Sequence, residues 1–172
     1  MVESNQNILF REVQHFRQVW TWIVVLLVSF TSIYGLVQQL ILGIPFGDNP
    51  APDVVMLIIG IIFGFVFPLF FYTCRLTVEV RSDGLHFRYF PFHLSFHRIS
   101  LTDLQNYEAR TYNPMKEYGG WGIKYGRKGK AYNTSGNRGV QLELSNGEKI
   151  LIGSQKPEEL VAAICLASGR KT

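Results

Sequence analysis

At 172 residues and a net charge of +4, the chain has room for one soluble domain plus a membrane anchor and for little more. Its two cysteines, Cys74 and Cys165, have no spacing that suits a metal knuckle or a disulfide framework, and reduced thiols in a cytoplasmic setting are expected. The average composition hides a partition: no charged residue occurs from Gln18 to Gly47 or from Val54 to Cys74, whereas 15 of the 17 Lys and Arg follow Cys74, against nine acids, a net of +6.

Ahead of the first apolar run, Leu9, Val13, Phe16 and Trp20 recur at helical spacing, with Arg11, Glu12, Gln14, Arg17 and Gln18 between them. Residues 1–19 therefore predict a juxtamembrane amphipathic segment. It is either a helix lying on the inner membrane surface or a cytoplasmic extension of the first membrane helix.

Residues 20–74 predict a two-helix transmembrane hairpin with spans of about 20–42 and 54–74. At 1.5 Å per residue each run reaches about 30 Å, enough to cross the hydrocarbon core. A cleaved signal peptide fits poorly, because the first run starts late and exceeds an apolar stretch of about 7–15 residues. The intervening loop carries Asp48 and Asp53 but no Lys or Arg. The positive-inside rule then places both termini in the cytoplasm and the protein in the cell membrane as a multi-pass chain. Trp20, Trp22 and Tyr72 suit the inner boundary, and Pro45, Pro50 and Pro52 the outer turn. Gly60 and Gly64 form a GxxxG pattern, and Thr31 and Gly35 a small-xxx-small counterpart, which predicts helix packing within one chain. Pro68 is expected to kink the second helix near its inner end. The absence of acid, base and histidine from both spans argues against ion or proton translocation.

From residue 75 to 172 the pattern becomes that of a cytoplasmic β domain. Leu76, Val78 and Val80 alternate with polar residues, Ser82-Asp83-Gly84 turns the chain, and Leu85, Phe87 and Tyr89 follow, a hairpin signal. Further strands are expected around Leu94–Ile99, Leu104–Thr111, Gly119–Tyr125, Val140–Leu144 and Lys149–Ile152, the last two joined by Asn146-Gly147. Pro157 at a first helical position, with Glu158 and Glu159 in the first turn, opens a C-terminal helix that Gly169 ends.

Seven antiparallel strands and a C-terminal helix are the order of a pleckstrin-homology-like (PH-like) fold, a partly open barrel plugged by its helix. The phrases Gly119-Gly120-Trp121-Gly122-Ile123-Lys124-Tyr125-Gly126, Gly129-Lys130-Ala131-Tyr132-Asn133-x-Ser135-Gly136-x-Arg138-Gly139 and Leu151-Ile152-Gly153-Ser154-Gln155-x-Pro157-Glu158-Glu159-Leu160 resemble prokaryotic two-helix membrane proteins with a PH-like domain. That resemblance covers most of residues 76–168. It implies architecture and no activity, so no catalytic role passes to any residue.

Catalytic and metal chemistry find little support in the residue pattern. On one strand His93 and His97 would share a face but lie about 13 Å apart, too far to share a metal. A turn at Pro91-Phe92 would make His86 and His97 cross-strand neighbours, still without a third ligand. Cys165 sits on the apolar face of the last helix, and no Gly-x-Ser-x-Gly elbow occurs. No cofactor and no metal are expected.

The one chemically pointed region is the Gly-rich loop 124–139, with Lys124, Arg127, Lys128, Lys130 and Arg138 and no acid between Lys124 and Arg138. Such a loop can present cations and backbone N–H groups to a phosphate, and it fits a solvated hairpin equally well. The first hairpin, where phosphoinositide-binding PH domains usually cluster their cations, carries little charge here. The leading expectation is a non-enzymatic, membrane-anchored scaffold at the inner membrane face that binds a protein partner or itself. The alternative is a sensor of anionic lipid headgroups or another phosphate-bearing ligand through loop 124–139. Nucleic acid is not expected, because the cations cluster nowhere else and the domain is tethered to lipid.

Overall fold

The structure, a computed structural model, describes residues 7–126 and 128–169. It divides into a helical unit, residues 16–74, and a β unit made of the chain up to residue 15 together with residue 75 onward.

In the helical unit, α1 (Val19–Leu36) continues through a π-helical turn (Val37–Ile41), and α2 (Asp53–Ile61) continues through a second π turn (Ile62–Val66) into α3 (Phe67–Thr73). Together these are two helices long and apolar enough to cross a membrane, Val19–Ile41 and Asp53–Thr73. Few of their side chains are buried, and Phe30, Leu27, Phe65 and Leu69 are among the exposed ones. Pro68 has no N–H to donate and its ring would press on the carbonyl four residues back. The helix meets this by widening: the Phe67 N–H reaches the carbonyl of Ile62, five residues away. A side chain at Gly60 would drive into Leu36 and one at Gly64 into Ile33, so both glycines lie where the second helix meets the first. Gly35 instead faces the ring of Phe46 in the connecting loop. Thr31 is exposed and its hydroxyl bonds the carbonyl of Leu27 in its own helix. Gln39 Nε2 donates to the carbonyl of Ala51 at 2.7 Å and to Asp53 at 2.8 Å, bracing the loop against the start of α2.

The β unit holds nine strands among the described residues: β1 (Ile8–His15), β2 (Arg75–Arg81), β3 (Gly84–Phe90), β4 (His97–Ile99), β5 (Leu104–Thr111), β6 (Gly122–Gly126), β7 (Gly129–Asn133), β8 (Arg138–Leu144) and β9 (Lys149–Gly153). A short helix α4 (Pro114–Tyr118) precedes β6, and α5 (Pro157–Ser168) follows β9. Sheet A runs β1-β2-β3-β4, antiparallel throughout; sheet B runs β5-β8-β9-β7-β6. The pairing of β7 with β9 is parallel, so the expectation of a wholly antiparallel domain is corrected there, and the sheets do not close into a barrel. Leu76, Val78, Val80, Leu85, Phe87 and Tyr89 of sheet A are buried, as are Val140, Leu142, Ile150 and Ile152 of sheet B. Helix α5 touches both sheets and buries Leu160 and Ile164 completely, each contributing about 1.5–3 kcal/mol.

Two further expectations are corrected here. The amphipathic helix read from Leu9 to Trp20 is, as far as His15, a strand paired with β2 from Ile8↔Arg81 to His15↔Arg75. Leu9 and Val13, four apart, fit a period-two strand as well as a helix, but in the strand they lie on the exposed face, and the buried residues are Phe10 and Gln14. The stretch Gly129–Asn133, read as loop, is β7, which with β1 raises the count from seven strands to nine. The strand expected at Leu94–Ile99 is reduced to His97–Ile99, preceded by a turn over residues 91–96.

Candidate functional site

Strands β6 and β7 pair from Gly122↔Asn133 to Gly126↔Gly129, with Lys128 in the turn just before β7. Arg127 lies outside the described residues. Strand alternation sets Tyr125 and Lys130, a cross-strand pair, on one face, and Lys124, opposite Ala131, on the other. Lys130 Nζ lies 5.2 Å from the Tyr125 ring centre and 5.9 Å from that of Tyr132. Hydrogen bonding to Tyr125 raises the Lys130 pKa above its usual value despite partial burial. Lys128 Nζ is 3.3 Å from Glu117, and Arg138, at the start of β8, is paired with Glu158 of α5.

The four described candidate cations, Lys124, Lys128, Lys130 and Arg138, therefore do not converge on one point. Lys128 and Lys130 line a shallow cleft of about 450 Å³ with Tyr125, Lys149 and Glu148, while Lys124 and Arg138 are not among its lining. The hairpin's glycines have their own reason. A Cβ at Gly126 would overlap the carbonyl of Glu117, and one at Gly129, where φ is +100°, would overlap that of Lys149. Close packing of backbone on backbone accounts for both positions.

Sequence reasoning missed α4 and the network it anchors. Asn113 caps the helix by accepting from the Lys116 N–H at 3.0 Å, Pro114 opens it, and Gly119 at φ +74° ends it. Glu117 then accepts from the Asn113 N–H at 2.8 Å and from Arg110 at 2.6 Å. Burial alone would raise the Glu117 pKa, but the Asn113 N–H, Arg110 and Lys128 together bring it down to about 2. Beneath α4, Tyr112, Tyr118, Ala131 and Leu151 form a small cluster on sheet B. Asn133 donates to the Tyr112 hydroxyl at 2.9 Å, and burial pushes that phenol up to about 12.

A second unforeseen feature joins β1 to the chain's far end. Glu12 accepts from Ser154 Oγ at 2.6 Å and from the Gln155 N–H at 2.8 Å, and Gln14 donates to the carbonyl of Gly153 at 2.7 Å. Gln155 in turn reaches Ser135 at 3.3 Å. The phrase Gly153-Ser154-Gln155 is thus the seat of the first strand. The cue was available in Glu12 and Gln14, polar residues two apart that a membrane-surface helix does not need.

The outer face of sheet A gathers Arg11, Arg75, Arg81, Arg88 and Arg98, which sequence reading did not connect. Register explains the gathering, since Arg11↔Glu79, Thr77↔Arg88 and His86↔Arg98 are cross-strand pairs. Glu79 binds Arg81 at 2.6 Å and Arg11 at 3.4 Å, Asp83 binds His86 at 3.0 Å, and Phe96 lies under Arg81 and Arg88. The histidine expectation is corrected too: the 91–96 turn folds back, and the rings of His93 and His97 are 4.1 Å apart, beside Phe87 and Tyr132. His97 opposes Phe87 in the sheet, while His86 opposes Arg98. Among the described residues no group of three His, Cys, Asp or Glu is placed to hold a metal. Burial, then the neighbouring His97 and Lys130, lower the His93 pKa.

No match to the chain was found among curated proteins or among solved structures. The model of a family of unknown function, DUF6141, matches residues 1–170, and the chain belongs to that family.

Proposed function

We propose that the protein is a membrane-tethered, non-enzymatic interaction module. A PH-like domain is held at the inner face of the cell membrane by a helical hairpin inserted between its first two strands, and there it binds a protein partner or a second copy of itself. The pairing of His15 with Arg75 carries this reading. Residues facing each other across an antiparallel pair are about 5 Å apart. Both ends of the apolar segment must then lie on the same side of any membrane it enters, which two spans satisfy and one does not. The concentration of Lys and Arg beyond Cys74 favours the cytoplasmic side.

The PH-like reading draws on two antiparallel meanders, β1–β4 and β5-β8-β9, followed by α5; the β6–β7 hairpin would then be an addition at the edge. In support of a non-enzymatic module, the polar side chains of Glu12, Glu117 and Asn133 each hold one element to another. A partner surface is offered by Met115, 61% exposed, and Tyr125, 76% exposed, residue types favoured at protein interfaces. With Tyr125 replaced by a photo-crosslinking amino acid, the protein in native membranes should form an adduct with another protein or with a second copy. A chain that stays monomeric and yields no adduct would refute the reading.

A second reading keeps the hairpin as an anion sensor, favoured by the cleft that Lys128, Lys130 and Lys149 share. Exchanging Arg127, Lys128 and Lys130 for Gln should then release the protein from phosphate-bearing ligands in a salt-dependent manner. Equal binding by both forms would end it.

A further inference from the structure

The connection between β3 and β4 reads Pro91-Phe92-His93-Leu94-Ser95-Phe96 and carries four apolar side chains in six residues. Two of them are turned outward: Leu94 is 79% exposed and Phe92 60%. The turn is ordered rather than loose. The His93 N–H donates to the carbonyl of Tyr89 at 2.8 Å, the rings of His93 and His97 pack together, and Phe96 is held beneath Arg81 and Arg88. Phe92 packs on the Tyr89 ring, 6.0 Å between centres, and its outer part adjoins Leu94 as a small exposed apolar pair that a covering surface would bury.

Strand register says where this turn projects. Phe90, the last residue of β3, pairs with Arg75, and Arg75 pairs with His15. His15 is the residue from which the chain leaves sheet A for the apolar helices, and Arg75 is the residue at which it returns. The 91–96 turn thus shares its end of the sheet with both exits, one or two strand spacings away, about 5–10 Å. The opposite end, the Ser82-Asp83 turn, is about 20 Å distant along β2. Next to the turn stand Arg75, lying over the Phe90 ring at 5.5 Å, and the two histidines. Apolar tips beside a cation and aromatic rings are the composition of a segment that enters the headgroup region of a bilayer.

We infer that Phe92 and Leu94 enter the lipid interface beside the helix exits, giving the β unit a third, non-covalent point of attachment. The inference rests on membrane insertion of residues 16–74. It goes beyond that reading by naming the residues of the β unit that meet lipid.

The test uses the full chain with Cys74 and Cys165 replaced by alanine and one new cysteine at a time, Leu94→Cys, Ser82→Cys or Ile58→Cys. Each carries an environment-sensitive fluorophore and is reconstituted in phosphatidylcholine vesicles with or without doxyl-labelled lipid. Emission from positions 94 and 58 should be blue-shifted and lost in doxyl lipid, and emission from position 82 should be neither. Quenching at 58 but not at 94 overturns the inference and leaves the membrane anchor standing. Quenching at neither position removes both. A blue-shifted but unquenched signal at 94 means that protein, a second copy or a partner, covers the turn, and this too overturns the inference.

Discussion

Replacing residues 16–74 by a two-residue turn should give a soluble, folded β unit, whereas residues 75–172 alone should not fold stably. His15 and Arg75 are already cross-strand partners, so the shortest hairpin connection can bridge them without moving either strand. Loss of β1 removes the burial of Phe10, about 2 kcal/mol, and the buried Gln14–Gly153 hydrogen bond, about 1 kcal/mol. It also removes the two bonds of the Glu12 carboxylate, together about 2 kcal/mol for a half-buried group. The total of about 5 kcal/mol equals the whole stability of many small domains, and β2 would become a bare edge. Urea unfolding followed by the fluorescence of Trp121, the only tryptophan outside 16–74, measures the difference directly. Within the joined protein, Glu12→Ala alone should lower stability by about 2 kcal/mol. If residues 75–172 unfold at the same midpoint and with the same slope as the joined protein, β1 contributes nothing and the reasoning fails.

Gly129→Ala should destabilise by more than the roughly 1–3 kcal/mol of backbone strain, because it also overlaps Lys149, whereas Gly147→Ala, at φ +82° in open space, should cost the strain alone. With Glu117 at about 2 in the folded protein, its contribution to stability is complete above about pH 4.5. It declines as the pH falls toward 2, and Glu117→Gln should flatten that part of the acid-unfolding profile. For His93 the lowered folded pKa means that the unfolded chain takes up the proton first. Stability should therefore fall as the pH drops through about 6.5, and NMR titration should find the His93 midpoint below that of an ordinary histidine. An impermeant thiol reagent should label Asn49→Cys but not Ser145→Cys in intact cells; the reverse pattern would invert the topology.

The apolar helices and the hairpins β2–β3 and β8–β9 were legible because their signals are local: uncharged length in one case, alternation around a glycine turn in the other. Strand β1 was not, because its identity depends on Ser154 and Gln155, some 140 residues away, and the spacing of Leu9 and Val13 fits both periods. Strand β7 was hidden by its own composition. Gly129 and Lys130 read as loop, yet the glycine is there to let the hairpin end close on β9. Sequence proximity grouped the basic residues of loop 124–139, and strand pairing separates those that are described, turning Lys124 away from Lys130 and carrying Arg138 to Glu158. Conversely, the arginines of sheet A are scattered in sequence and meet only through register.

That β1 precedes the apolar helices while its partner β2 follows them has a consequence for biogenesis. During synthesis the first strand leaves the ribosome long before the strand it must pair with. On the membrane reading proposed above, it waits at the surface while both helices insert. Only a chain that has crossed and come back brings Arg75 to His15. A chain that inserted a single span would strand β1 and β2 on opposite sides, with Phe10 and the Gly153-Ser154-Gln155 seat both unoccupied. Completing the sheet would then act as a check on insertion.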